Sequence, residues 1–173
     1  MTASARSVPV AGRYGDRVRE VDVVGVRVEM PTNQPLVLLR ESDGVRYLPI
    51  WIGAVEATAI AFAQQGVSPP RPLTHDLLRN LVDAFDEQLS EVRITEVRDG
   101  VFFATLAFAS GVEIEARPSD SIALALRTGS RIVCAEDVLA SSGINVPDEE
   151  EDEVEKFRAF LDDITPEDFE SGR

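Results

Sequence analysis

Glu113-Ile114-Glu115-Ala116-Arg117-Pro118-Ser119-Asp120-Ser121-Ile122-Ala123-Leu124-Ala125-Leu126-Arg127 changes period partway along. Up to Glu115, acidic and apolar residues alternate as in a half-buried strand, whereas Ile122, Leu124, Ala125 and Leu126 have the density of a helix pressed into a core. The switch falls at Arg117-Pro118. Proline disfavours the α region for the residue before it and fits the first turn of a helix, so the strand is expected to end at Arg117 and the helix to begin near Pro118. Ser119 and Asp120 then occupy the first turn, where free N–H groups and the positive end of the helix dipole point outward beside the permanent charge of Arg117. Such a corner suits an anion. The same residues also read as a plain helix start, with Asp120 favoured by the dipole and paired with Arg117.

The segments before this corner continue the pattern. A β-branched run, Val21, Val23, Val24, Val26 and Val28, reads as a strand with a bulge at Gly25 and an end at Pro31. Leu36 to Leu39 and Val45 to Ile52 form a hairpin about Ser42-Asp43-Gly44, with Pro49 marking an edge or a bulge. A helix is expected from Ala54 to Gln65, burying Val55, Ala59, Ile60 and Phe62, with Glu56 in its first turn.

Gly66-Val67-Ser68-Pro69-Pro70 is a loop, and Arg71-Pro72-Leu73-Thr74-His75-Asp76 is a second Arg-Pro corner. There Thr74 is the expected N-cap and Leu77, Leu78, Leu81, Val82 and Phe85 are the apolar stripe. His75, the single histidine of the chain, sits where the dipole works against a positive charge, which suits a general base. It also reads as a first-turn histidine bonded to Asp76 or to a loop carbonyl.

From Glu91 to Arg117 three antiparallel strands form a meander, turning at Asp99-Gly100 and Ser110-Gly111. Gly129 stops the helix after Pro118, Ile132 to Cys134 is a strand, and Glu136 to Ser142 a short helix. These elements define an α+β domain over residues 20–147: a mainly antiparallel sheet, with a mixed one as the alternative, packed by three or four helices. Residues 1–19 read as a mobile leader. Residues 148–173 read as an acidic linker and an amphipathic C-terminal helix, with Val154, Phe157, Leu161 and Ile164 on one face and Phe160 beside them. That stripe needs a surface: its own core, a second subunit or a protein partner.

Charge narrows the functions. Of a net charge of -14, residues 148–173 hold -9 and residues 20–147 hold -8, against +3 in the first 19. Nucleic acid is normally gripped by a basic surface, and none shows in these totals, so any phosphate site is local. The lone Cys134, flanked by apolar residues, reads as core and matches no zinc spacing. No apolar run reaches a membrane span and the start lacks a signal-peptide core, so no membrane association and a cytoplasmic setting are expected.

Leu48-Pro49-Ile50-Trp51-Ile52-Gly53 with Glu56-Ala57, Arg71-Pro72-Leu73-Thr74-His75-Asp76-Leu77, Phe102-Phe103-Ala104, and Ala116-Arg117-Pro118-Ser119-Asp120-Ser121-Ile122-Ala123-Leu124 together resemble the bifunctional nuclease family, also known as a domain of unknown function. The resemblance covers roughly residues 20–147 in order, and the tail resembles the extension of actinobacterial members. It implies a compact α+β domain, a homo-oligomer with a dimer favoured, and cleavage of DNA and RNA. Phosphodiester hydrolysis needs an activated water and positive charge at the phosphoryl oxygens. On that chemistry His75 is the candidate base with Asp120 beside it, while Arg71, Arg117, Ser119 and Thr74 are the phosphate-binding candidates. Asp76 and Glu56, with Asp120, are the carboxylates to hold Mg²⁺ or Mn²⁺ if the fold gathers them. The other reading is a non-catalytic oligomeric module that binds a small anion and recruits a protein through its acidic tail.

Overall fold

The structure, a computed structural model, describes residues 18–145. The expected C-terminal helix and most of the expected leader lie outside these residues.

Alternation of β-branched and polar residues sets β1 (Val18–Glu29), β2 (Gln34–Glu41) and β3 (Arg46–Trp51) as an antiparallel meander. Its first pairing shifts register between Val23 and Gly25, the bulge expected at that glycine. Two helices follow, α1 (Ala54–Gln64) and α2 (Thr74–Ala84). A second meander is built from β4 (Leu89–Arg98), β5 (Val101–Phe108) and β6 (Glu113–Ala116). Asp99 (φ 49°) and Gly100 (φ 77°) both take the left-handed conformation that a tight two-residue hairpin turn requires.

α3 (Pro118–Thr128) starts where the change of period places it, with Arg117 extended (φ -70°, ψ 142°) and Pro118 in the first turn. It ends at Gly129, whose φ of 71° is open to glycine at little cost. β7 (Arg131–Ala135), α4 (Glu136–Ser142) and the two-residue β8 (Ile144–Asn145) complete the described chain.

The eight strands form one mixed sheet in the order β6-β5-β4-β7-β1-β2-β3-β8. β7 joins the two meanders, antiparallel to β1 and parallel to β4. The crossover that makes this pairing parallel is the run β5-β6-α3, which carries α3 over the sheet. β8 covers only Arg46 and Tyr47 of β3, so Pro49 lies on the uncovered part of that strand, where a missing N–H costs no ladder bond. α4 packs on both β3 and β4, which have three strands between them in the order, so the sheet curls around it.

Val37, Leu39, Leu48, Ile60, Val92, Ile94, Ile122 and Leu139 are at the centre of the core, each fully or almost fully buried. At one end a charge network fastens four elements. Arg46 grips Glu41 with two hydrogen bonds (2.9 and 2.8 Å) and Glu136 with two more (2.7 and 3.2 Å), while Arg19 donates to Glu136 (2.9 Å). Cys134 is buried in β7, and burial pushes its thiol up to about 12. Among the described residues no helix is long and apolar enough to cross a membrane.

Two expectations need correcting. Val55, placed by its spacing in the buried stripe of α1, is 78% exposed; Ala57, Ala59 and Ile60 carry the contact instead, because the short side chains let α1 sit close to α3. The apolar stripe of α2 also points away from the core, and the one buried residue of that helix is His75. Ile122→Ala should therefore cost about 2–5 kcal/mol in a urea titration, and Val55→Ala should stay within about 0.5 kcal/mol of the parent.

Candidate functional site

The corner of α3 is fixed from within. The Arg117 carbonyl accepts from the backbone N–H of Ser121 (3.0 Å) and from its hydroxyl (2.9 Å), and Ser121 is fully buried. This pins the turn that aims the Arg117 side chain along the surface. Its Nε donates to Asp120 Oδ2 at 2.7 Å and its Nη2 to Glu56 Oε1 at 2.9 Å, so the guanidinium bridges the first turns of α3 and α1. The Arg117 side chain remains 65% exposed.

Asp120 uses its other oxygen on α2, with His75 Nε2 at 3.0 Å from Oδ1. Burial works to raise the Asp120 carboxyl, but the hydrogen bonds from Arg117 and then His75 outweigh it and hold the group below its ordinary value. An ionised carboxylate only accepts, so Nε2 donates its proton toward Asp120, and Nδ1 is the ring nitrogen left over. The continuous chain Glu56–Arg117–Asp120–His75 thus spans three helix N-termini. The His75 ring is buried within it, at 7% exposure.

A second pair lies beside the first. Asp76 Oδ2 accepts the backbone N–H of Leu73 (2.9 Å), and Oδ1 accepts from Arg127 Nε (2.6 Å); Arg127 Nη1 also donates to the Ala123 carbonyl (2.8 Å). The Arg127 bond, followed by the Leu73 N–H, holds Asp76 below the usual carboxylate range. Thr74 is not the N-cap of α2. That position falls to Leu73, and the Asp76 carboxylate reaches back to it, which places Thr74 as the first helical residue.

The fold gathers His75, Asp120, Arg117 and Glu56, four of the residues singled out in the sequence. Asp76 stands next to His75 but belongs to the Arg127 pair. Ser119 is buried, and Thr74 and Arg71 are exposed; Arg71 makes no hydrogen bond or ion pair among the described residues. Arg127 escaped the sequence reading. Its one signal was a charged residue in the last turn of a helix otherwise packed with apolar groups, facing whatever helix lies alongside.

Glu56 and Asp76 do not stand together as a metal cage. Among the described residues no group of three or more His, Cys, Asp or Glu side chains does so, and each of these two carboxylates is already bound to an arginine. Gly53 leaves room for the Glu56 carboxylate, which a Cβ at that position would meet. A cavity of about 240 Å³ lies elsewhere, between the C-terminal halves of α2 and α3, lined by Arg79, Val82, Asp83, Arg127 and Thr128 among others.

With this geometry, an α+β domain that aligns three helix starts around one exposed arginine, the chain can be compared with known proteins. Residues 37–147 match the bifunctional nuclease domain, and the chain belongs to that family. Two relatives are 55% identical to it over 161 residues, covering 88% of this chain and 98% of theirs. They are proteins of Mycobacterium tuberculosis strains CDC 1551 / Oshkosh and H37Rv, each named as uncharacterized.

Asp76→Asn should lower stability at neutral pH by roughly 1–3 kcal/mol, the worth of a hydrogen bond to a charged group. Because the carboxyl is depressed in the folded state, its contribution is complete above its ordinary value and fades as the pH falls through the depressed one. Urea titrations at a series of pH values should show the gap between variant and parent closing in acid.

Proposed function

We propose that the chain is a nuclease-like protein that hydrolyses phosphodiester bonds of DNA, RNA or both, with the Glu56–Arg117–Asp120–His75 chain as its working site. The observation that carries this reading is the state of Arg117: a permanent charge, open to solvent, held in place from two sides and one carboxylate away from an oriented imidazole. Membership of the bifunctional nuclease family supports it.

In the proposed reaction Arg117 Nη1, which makes no bond to Asp120 or Glu56, donates to a phosphoryl oxygen and meets the charge that gathers there. Asp120 orients His75 through Nε2–H, and Nδ1 takes the proton of the attacking water. Arg71 and Thr74, exposed before and at the first turn of α2, supply further contacts to the strand. Ser119 makes none of the hydrogen bonds of that chain and is given no direct part. A need for Mg²⁺ or Mn²⁺ would be met largely by the phosphates of the substrate, as magnesium sites commonly are. We place this activity in the cytoplasm and in a homodimer, on the strength of the buried single cysteine and of the family.

A second reading is favoured by the neutralisation inside the site. Glu56 and Asp120 both bind Arg117, as in a junction that only knits helices together, and the domain around it is acidic overall. On this reading the protein binds a nucleotide or another small anion without turnover.

Nuclease assays on rigorously purified protein, with and without chelator, separate the two. Arg117→Ala and His75→Ala are each expected to lower kcat/KM by about 100-fold or more on DNA or RNA, with melting curves confirming that both variants fold. Equal cleavage by the variants would identify a contaminant. A nucleotide-dependent rise in melting temperature that Arg117→Ala abolishes, without cleavage, would select the binding module.

A further inference from the structure

α2 is attached by its polar side. His75 and Asp76 reach Asp120 and Arg127 of α3, and His75 is the only residue of the helix that is buried. Leu77, Leu78, Leu81 and Phe85 are 52, 39, 44 and 80% exposed. At about 100° per residue these four fall within an arc of roughly 100°, a continuous stripe about 12 Å long. Leu73, also exposed, extends it at the N-terminal end. A contiguous apolar face on the outside of a helix marks a surface that something covers.

The same chain has a second stripe in search of a surface: Val154, Phe157, Leu161 and Ile164, which on a helix would occupy an arc of about 80° over roughly 15 Å. Residues 146–153 separate it from Asn145, the last residue of β8. Fully extended, that link reaches about 30 Å, comparable with the diameter of a domain whose radius of gyration is about 14 Å. Arg71, exposed just ahead of α2, sets a positive charge at the N-terminal end of the stripe, opposite in sign to the acidic segment 148–173. Covering α2 with a second copy would leave the 154–164 stripe in water and bring together two acidic domains. Joining the two stripes covers both.

We propose that residues 154–164 form a helix that lies along the Leu77–Phe85 face of α2 in the same chain. It closes the apolar side of the helix whose polar side holds His75 and Asp76, so α2 is gripped from both flanks.

Amide hydrogen exchange on the full chain tests this. In the parent protein, amides of 154–164 should exchange at least about tenfold more slowly than in an isolated peptide of the same sequence, and a hundredfold dilution should leave that protection unchanged. Leu77→Glu/Leu81→Glu should abolish the protection. Phe157→Glu/Leu161→Glu should do the same from the other side of the contact, without touching the described fold. Exchange at the peptide rate in the parent, or protection that survives both double variants, would overturn the proposal. So would protection that disappears on dilution as the sedimenting mass falls, since the covering surface would then belong to a second copy.

Discussion

A single carboxylate bound through both of its oxygens fastens the helical layer. Asp120 accepts from Arg117 on one side and from His75 on the other, and Arg117 passes the connection on to Glu56. α1 has alanines and Ile60 with which to pack, but α2 buries nothing except a histidine. Its place beside α3 therefore depends on directional bonds rather than on apolar area, and such bonds fix the angle of a helix as well as its position. Asp76–Arg127 repeats the device from the neighbouring residue of α2 to a point about two turns farther along α3. The partly buried setting makes each bond stronger than it would be in water, and equally makes an unpaired survivor costly.

The elements themselves were legible wherever the signal was local. The period change at Arg117-Pro118, the Asp99-Gly100 turn and the Gly129 stop all act through the conformations of one or two residues, and the structure places each where the sequence does. What could not be read was long-range. Nothing in Arg131 to Ala135 says that it pairs parallel to β4 and antiparallel to β1, and a two-residue strand such as β8 carries no periodicity.

The orientation of α2 is the most instructive difference. Periodicity shows that a helix has an apolar face; it does not show which way that face points. The usual assumption that it points inward fails here because His75 and Asp76 find ionic partners on α3, and those partners are 45 and 51 residues away in sequence. For the same reason His75, Asp120, Arg117 and Glu56 could be chosen by residue type and first-turn position, yet their convergence could not be foreseen. Arg127, with no motif about it, was invisible.

The solitary thiol of β7 has a practical consequence. Shut inside the sheet, with its ionisation pushed up to about 12, Cys134 is inert toward alkylating agents for as long as the native packing holds. Its modification by iodoacetamide would then serve as a clock for opening of the sheet core, and new cysteines on the surface could accept spectroscopic labels while the natural one is left in place.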